Sequence, residues 1–280
     1  MKKTINQLIQ LQELMEAMAQ QSATSTNGRL DQLKKAINSY LEALPSDLRE
    51  QFTKLQKKHH IAIVPISNGT CTGCGMALPV SRVHAVRAAT EMYTCPNCAR
   101  ILYFPPKELP KRIAQKTRRF SAPVQAGLSR FSAPSLMVAH SEATSKEEVI
   151  AELAALMEKE NFINDAAALT EAALRREAIV STALDHGLAF PHVRGVEGGG
   201  LTVAVATSKN GFKYDADATK LTRVVVFVVI PTAASAFYLK LLAGLALTFQ
   251  KKEARDKVTE LKDSDKLWKS MLALTKSTIL

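Results

Sequence analysis

The sequence predicts an α+β multidomain chain: a helical hairpin and a small cysteine-held module first, then an α/β sandwich with a mixed sheet. Three observations predict it. Apolar residues recur at three- and four-residue steps through the first 58 positions, the period of amphipathic helices. All four cysteines of the chain fall in two Cys-x-x-Cys pairs with 20 residues between them. From residue 136 onward, helical patterns alternate with short β-rich runs, the pattern of a layered sheet with flanking helices. The expected segments are 1–58, 59–104, 105–135 and 136–280.

With 280 residues, 46% of them hydrophobic and 22% charged, the chain has material for two buried cores. No uninterrupted apolar run reaches the length that spans a bilayer. Met1-Lys2-Lys3 is basic, but the residues after it are Gln-rich and amphipathic, unlike a secretory signal. A cytoplasmic protein with no membrane partner is therefore expected. The formal charge of +11 is unevenly placed. Residues 1–130 hold 19 Lys and Arg against 8 Asp and Glu, while the remainder balances. Two modules with different partners follow from that asymmetry.

Residues 2–21 read as a helix, with Ile5, Leu8, Leu11, Met15 and Met18 on one face. The polar stretch Ser22–Gly28 breaks it. A second helix carries Leu30, Leu33, Ile37, Leu41 and Leu44 until Pro45 interrupts it. Ser46 and Asp47 then stand where an N-cap is wanted, and Leu48, Phe52 and Leu55 continue the apolar face. Helices with so narrow an apolar face pack on each other, on a second copy of the chain as a homodimer, or on the next module. A spacer or dimerisation arm is the plain reading.

Ile61–Ile66 is β-rich and runs into a turn at Ser67-Asn68-Gly69. Cys71-Thr72-Gly73-Cys74-Gly75 and Cys95-Pro96-Asn97-Cys98 then read as two knuckles whose backbone amides point at sulfur. Four thiolates in tetrahedral array suit a structural zinc ion, closed by Cys71, Cys74, Cys95 and Cys98. His59, His60 and His84 lie outside the knuckles and read as surface histidines. A thioredoxin-like redox role would call for one pair opening a helix, rather than two facing pairs.

Residues 61–104 resemble the zinc ribbon found behind a helical hairpin in a family of small bacterial coiled-coil proteins. The residues that carry the resemblance are Ile63-Val64-Pro65, Cys71-x-Gly73-Cys74, Leu78-Pro79, Cys95-Pro96-Asn97-Cys98 and Arg100-Ile101-Leu102-Tyr103. The hairpin here is shorter than that family's. The resemblance implies a binding module or adaptor without catalysis of its own.

Residues 105–135 change character. Pro105-Pro106 and Pro110 break regular structure, and Lys107, Lys111, Arg112, Lys116, Arg118, Arg119 and Arg130 face one acid, Glu108. Arg119-Phe120-Ser121-Ala122-Pro123 is echoed by Arg130-Phe131-Ser132-Ala133-Pro134. The segment reads as a flexible basic linker. It serves either as a tether whose phenylalanines pack on a neighbouring domain, or as a strip that contacts nucleic-acid phosphates, with Phe120 and Phe131 stacking on bases.

In the second module Ser145 is placed to cap a helix carrying Val149, Ile150, Leu153 and Leu156. Residues 165–176 read as another helix, and 201–206 and 224–230 as strands. The run from Val224 to Ile230 is apolar on both faces and should be central. Pro231 ends it, a helix follows over 235–250 with Leu239, Leu242, Leu245, Ala246 and Phe249 inward, and two polar helices close the chain. Between these elements lies Gly187-Leu188-Ala189-Phe190-Pro191-His192. Gly187 permits a tight turn, Pro191 fixes φ before the histidine, and His192 is expected to project from a rigid, partly exposed corner.

Residues 145–275 resemble enzyme IIA of the bacterial phosphotransferase system, of the fructose/mannitol and nitrogen-regulatory type. The carrying residues are Glu171-x-x-Leu174-x-Arg176-Glu177, Thr182, Gly187–His192, and Leu239-x-x-Leu242-Ala243-x-Leu245-Ala246. The resemblance implies that His192 accepts a phosphoryl group from an HPr-like phosphocarrier protein. Neutral imidazole is a nucleophile near pH 7, and the transfer needs positioning and compensation of oxygen charge. Arg176 suits that task through bidentate phosphate binding, and Thr182 adds a hydroxyl donor. Without the resemblance, Arg176 reads as a helix-end ion pair with Glu177 or a neighbour. The family has a second histidine directly before the Leu239 position; Tyr238 stands there instead, with a hydroxyl to donate but no positive charge. Gly198-Gly199-Gly200 makes the loop after His192 pliant.

Together these readings give a regulatory phosphocarrier-type protein that signals through its zinc-ribbon half to an unidentified protein target. The alternative is a chemically silent IIA-like scaffold whose basic ribbon and linker bind nucleic acid or a transcription component.

Overall fold

The computed structural model describes residues 2–22, 27–104, 127–196, 200–216, 218, 220–231 and 237–279. The chain divides into two units, Met1–Lys107 and Glu108–Leu280.

The first unit opens with α1 (Lys2–Ser22) and α2 (Asn27–Glu42), which pack on each other. Ile5, Leu8 and Leu11 are buried as the spacing requires, but Leu14 is buried while Met15 and Met18 stay partly exposed. The reason is that α1 is covered on two sides, by α2 and by the first strand. Helix α3 (Ser46–His59) buries Leu48, Phe52 and Leu55. Its N-cap is Pro45 without a side-chain cap bond, so Ser46 and Asp47 do not cap as expected. Ser46 bonds instead to the Asp47 carboxylate at 3.2 Å. Pro45 already holds the extended φ and ψ that a cap needs, and Asp47 still favours the first turn by its charge.

A small sheet follows, ordered β2-β1-β4-β3, from β1 (Ile63–Ser67), β2 (Thr70–Cys71), β3 (Tyr93–Thr94) and β4 (Ile101–Tyr103). β1 pairs antiparallel with β2 and parallel with β4. The β1–β2 turn places Asn68 and Gly69 at φ 49° and 71°, the conformation that two-residue hairpins demand. Helix α4 (Val80–Ala88) lies between the knuckles, an element the periodicity did not announce. Gln12 joins α1 to β1. Its side-chain amide donates to the Ile63 carbonyl at 3.1 Å and accepts from the Ala62 and Ile63 amides at 2.8 and 2.9 Å.

The second unit is layered about a sheet ordered β5-β9-β10-β7-β6, with β8 also paired to β10. The strands are β5 (Met137–Val138), β6 (Ala183–Leu184), β7 (Leu188–Ala189), β8 (His192–Val196), β9 (Thr202–Phe212) and β10 (Thr222–Pro231). The sheet is mixed: β10 is antiparallel to β9 and parallel to both β7 and β8. Every residue of β10 is buried except Arg223, as its two-sided apolar run predicts. Among the described residues, five helices accompany the sheet: α5 (Lys146–Lys159), α6 (Ala166–Ile179), α7 (Phe237–Gln250), α8 (Lys252–Thr259) and α9 (Ser264–Thr275). Ser145, Asp165 and Asp263 cap α5, α6 and α9 through bonds to Glu148, Ala168 and Lys266 amides. One continuous core runs through this unit, with Phe227, Phe249 and Tyr238 among its largest members.

Residues 127–135, expected to end a flexible linker, are ordered parts of this unit. Leu128 is fully buried in the core, and Phe131 packs against it. The Val203 amide donates to the Phe131 carbonyl at 2.7 Å, and the Ser132 hydroxyl to the Val203 carbonyl at 2.7 Å. Phe131 is thus a packing residue rather than a base-stacking one. The rest of the basic stretch, Phe120 included, and Gly198-Gly199 lie outside the described residues.

Candidate functional site

The two knuckles are built alike. In each, the backbone reverses after the second cysteine, at Gly75 (φ 75°) and Ala99 (φ 62°). The Gly75 amide bonds to the Cys71 carbonyl at 2.8 Å and the Ala99 amide to the Cys95 carbonyl at 2.9 Å. Amides of Gly73 and Cys74 face the Cys71 sulfur, and those of Asn97 and Cys98 face the Cys95 sulfur. Arg100 ties the knuckles together by donating to the Ile61 carbonyl at 3.0 Å and the Gly73 carbonyl at 2.9 Å. A Cβ at Gly73 would stand 2.8 Å from the Arg100 side chain, so the glycine makes room for that tie.

All four sulfurs lie within 4.8 Å of one another. Cys71–Cys98 and Cys74–Cys95 are 3.8 and 3.6 Å apart. Those separations are far beyond a disulfide. They match the edge of a tetrahedron with Zn–S bonds of about 2.3 Å, which is about 3.8 Å. The donor set therefore fits a structural zinc ion. His60 and His84 are exposed, as expected. His59 is half-buried beside the ribbon, with a ring nitrogen shielded from solvent, so its reading as a surface residue is corrected.

In the second unit β7 and β8 are one run along β10, interrupted at Phe190-Pro191. Pro191 has no N–H to continue the ladder, but its carbonyl still accepts from the Val228 amide at 2.9 Å. Gly187 makes the turn into this run at φ 76°. A Cβ there would meet the Leu221 carbonyl at 2.6 Å, so the position requires glycine on two counts.

His192 is 5% exposed. It begins a buried strand instead of projecting from a corner, because β8 continues along the sheet beside β10. Its Nδ1 stands 3.0 Å from the Phe190 carbonyl. A carbonyl only accepts, so Nδ1 carries the proton and, in the neutral ring, Nε2 carries the lone pair. Burial, then the positive charges of Arg176 and Arg194, depress the imidazole pKa to about 3 against the pull of the Phe190 bond. The ring is neutral throughout the physiological range.

Arg176 lies in the last turn of α6 and is 8% exposed. It donates from one terminal nitrogen to the Val180 carbonyl at 2.9 Å, while its buried Nε–H has no partner among the described residues. A shielded guanidinium donor left over beside a neutral imidazole is what an incoming anion would satisfy. Tyr238 is fully buried, with its ring centroid 6.5 Å from that of His192. Arg194 stacks its guanidinium 4.9 Å over the Tyr238 ring. Two residues apart on one strand, His192 and Arg194 share a face of the sheet. Sequence reasoning passed over Arg194; reading 192–196 as a strand would have found it. Thr182 does not sit as an anion donor. Its hydroxyl proton goes to Glu177 Oε1 at 2.5 Å, and its amide to Glu177 Oε2 at 2.9 Å.

Residues 131–273 match the family described as the phosphoenolpyruvate-dependent sugar phosphotransferase system, EIIA 2. The chain belongs to the EIIA 2 family. Residues 70–102 match a C4-type zinc ribbon domain, so this EIIA 2 protein carries a ribbon with four cysteines ahead of its family domain. It is similar to the fructose-specific EIIABC component of Bacillus subtilis, 28% identical over 44% of this chain and 20% of that protein. The chain thus spans about a fifth of that relative's length. It is also similar to the fructose-specific EIIA component of Haloferax volcanii, 28% identical over 41% of this chain and 75% of that protein. Among solved structures it resembles the nitrogen regulatory protein IIA-Ntr of Neisseria meningitidis, with 25% identity and a TM-score of 0.47. That match covers 51% of this chain and 97% of the other. No described helix is long and apolar enough to cross a membrane.

Proposed function

We propose that the EIIA 2 domain accepts a phosphoryl group on His192 from an HPr-like phosphocarrier, and that the zinc-ribbon half passes this state to a protein target in the cytoplasm. The observation that carries the reading is the tautomer lock: Nδ1–H is held by the Phe190 carbonyl, which leaves the Nε2 lone pair for attack. In the transfer, the Nε2 lone pair forms the new bond to phosphorus. The bond between phosphorus and the donor breaks, its electron pair leaves with the donor, and the Nδ1 proton stays in place. The arriving oxygens bring negative charge into a shielded site. Arg176, with its spare Nε–H, and Arg194 are the groups to balance it. Tyr238 holds Arg194 by its ring face and contributes no charge.

The zinc ion has no part in the chemistry. Four thiolates close its coordination, which suits a rigid binding surface rather than a catalytic centre. A phosphoryl group on His192 adds roughly two negative charges, enough to change which surface a partner prefers. The test is incubation with phosphoenolpyruvate, enzyme I and the cognate phosphocarrier. An acid-labile phosphate should form in wild type and vanish in His192→Ala. A competent carrier that leaves the wild-type protein unlabelled would sink the reading.

A further inference from the structure

Glu177 is buried, and the transfer as described makes no use of its charge. Its carboxylate takes both polar hydrogens of Thr182, the amide at 2.9 Å and the hydroxyl at 2.5 Å. The Thr182 carbonyl then accepts the Phe190 amide at 3.1 Å. The Phe190 carbonyl in turn accepts His192 Nδ1–H at 3.0 Å. Every donor in this sequence points toward the carboxylate. Thr182 is held at its N–H and hydroxyl, Phe190 at its N–H, and the imidazole at Nδ1.

We infer that Glu177 is a positioning residue for His192, acting through Thr182 and Phe190 to hold the ring in the tautomer that presents Nε2. The physical reason lies in what a carboxylate cannot do. It accepts and never donates, so it admits one orientation of Thr182. A neutral amide or hydroxyl partner would admit two. Fixing Thr182 fixes the edge against which β7 is laid, since Ala183 pairs with Ala189 and Leu184 with Leu188. The Phe190 carbonyl is the last polar group of that run before Pro191, so its direction is set from the Thr182 side. Burial pushes the Glu177 pKa up, and the two Thr182 hydrogen bonds, then the charges of Arg176 and Lys146, pull against that rise in favour of the carboxylate. Adjacent in sequence, Arg176 and Glu177 thus have separate tasks: one faces the incoming oxygens, the other sets the ring that receives them.

The inference rests on His192 as the acceptor, and its test separates the two. Full-length protein labelled with 15N-histidine is examined at pH 7 by long-range 1H–15N correlation, with the His192 signals identified by their loss in His192→Gln. Wild type should show the Nδ1–H tautomer. In Glu177→Gln and in Thr182→Val the Nε2–H tautomer should become populated, and the rate of phosphoryl acceptance should fall roughly 10- to 100-fold. Thr182→Ser, which keeps both hydrogens, should restore wild-type behaviour. Amide protection of β9 and β10 reports folding in each variant. An unchanged tautomer in folded Glu177→Gln and Thr182→Val overturns the inference. So does loss of the fold in Glu177→Gln with a wild-type tautomer in Thr182→Val, since Glu177 would then be structural only. A tautomer shift in protein that never accepts phosphate would leave the positioning link standing and remove the acceptor reading.

Discussion

The ribbon and the sandwich each hold a few reactive side chains still, and they do so by opposite means. In the ribbon, strands of two to five residues surround a handful of buried side chains, and the four sulfurs are placed by backbone reversals at Gly75 and Ala99. Such a core is too small to fix that geometry alone, so the metal becomes part of the fold. In the sandwich, a continuous apolar core surrounds β10, and His192 is placed by strand register and by peptide hydrogen bonds. The lesson is that ligand-held chemistry resides in a spacing, whereas core-held chemistry resides in a register.

Removing zinc should break the comparison most strongly. Structural zinc contributes about 10–16 kcal/mol of apparent binding free energy to small domains. Chelation of the full-length protein, or Cys95→Ser, should abolish amide-exchange protection over residues 61–104 and leave β9 and β10 protected. If both regions lost protection together, the two would not be independently held. The converse perturbation is Phe227→Ala, at a fully buried position of β10. It should destabilise the sandwich by about 3–5 kcal/mol in thermal denaturation, without changing zinc stoichiometry.

Gly187→Ala sharpens the comparison at the level of register. Its positive φ and the 2.6 Å approach to the Leu221 carbonyl predict a loss of about 1–3 kcal/mol. Phosphoryl acceptance should fall further than the change in stability explains, because β7 must shift. A smaller effect follows from His192 itself. Its folded pKa of about 3 is below the unfolded value near 6.5, so the unfolded chain binds the extra proton between those limits. Stability is therefore retained above pH 6.5 and lost as pH falls from there toward 3, with a slope that approaches about 1.4 kcal/mol per unit. Urea titrations at pH 7.5 and 5.5 should show the loss, and His192→Gln should reduce it. The smallest effect belongs to the exposed Glu171–Arg175 pair at 3.1 Å on α6. Glu171→Ala should change stability by less than about 0.5 kcal/mol.

Much of this architecture was legible in the sequence, and the reasons differ by region. Cys71, Cys74, Cys95 and Cys98 declare themselves because ligand spacing is a local property. The central strand from Val224 to Ile230 declares itself because burial on both faces leaves no polar residue. Helix α4 did not, since its nine residues carry no apolar stripe and only Val86 is buried. His192 was legible as a position but not as an environment. A proline before a histidine suggests a corner, and only the pairing of Val228 with His192 shows the chain re-entering the sheet. Thr182 was misread for the same reason: the residue that takes its hydroxyl proton, Glu177, is five positions away on a helix. Leu128 and Phe131 were hidden by the basic residues around them, whose charge says nothing about where the neighbouring apolar side chains pack.

Gln12 carries a consequence for how this chain keeps to itself. At the start of β1 one side of the backbone is paired with β4, and its other side would stand open. The glutamine amide occupies it, taking two N–H groups and one carbonyl. An open strand edge is a template for a foreign strand. Helix α1 therefore guards the ribbon's edge. A ribbon cut free at residue 59 would fold around its metal with that edge uncovered, and copies of it would adhere to one another there.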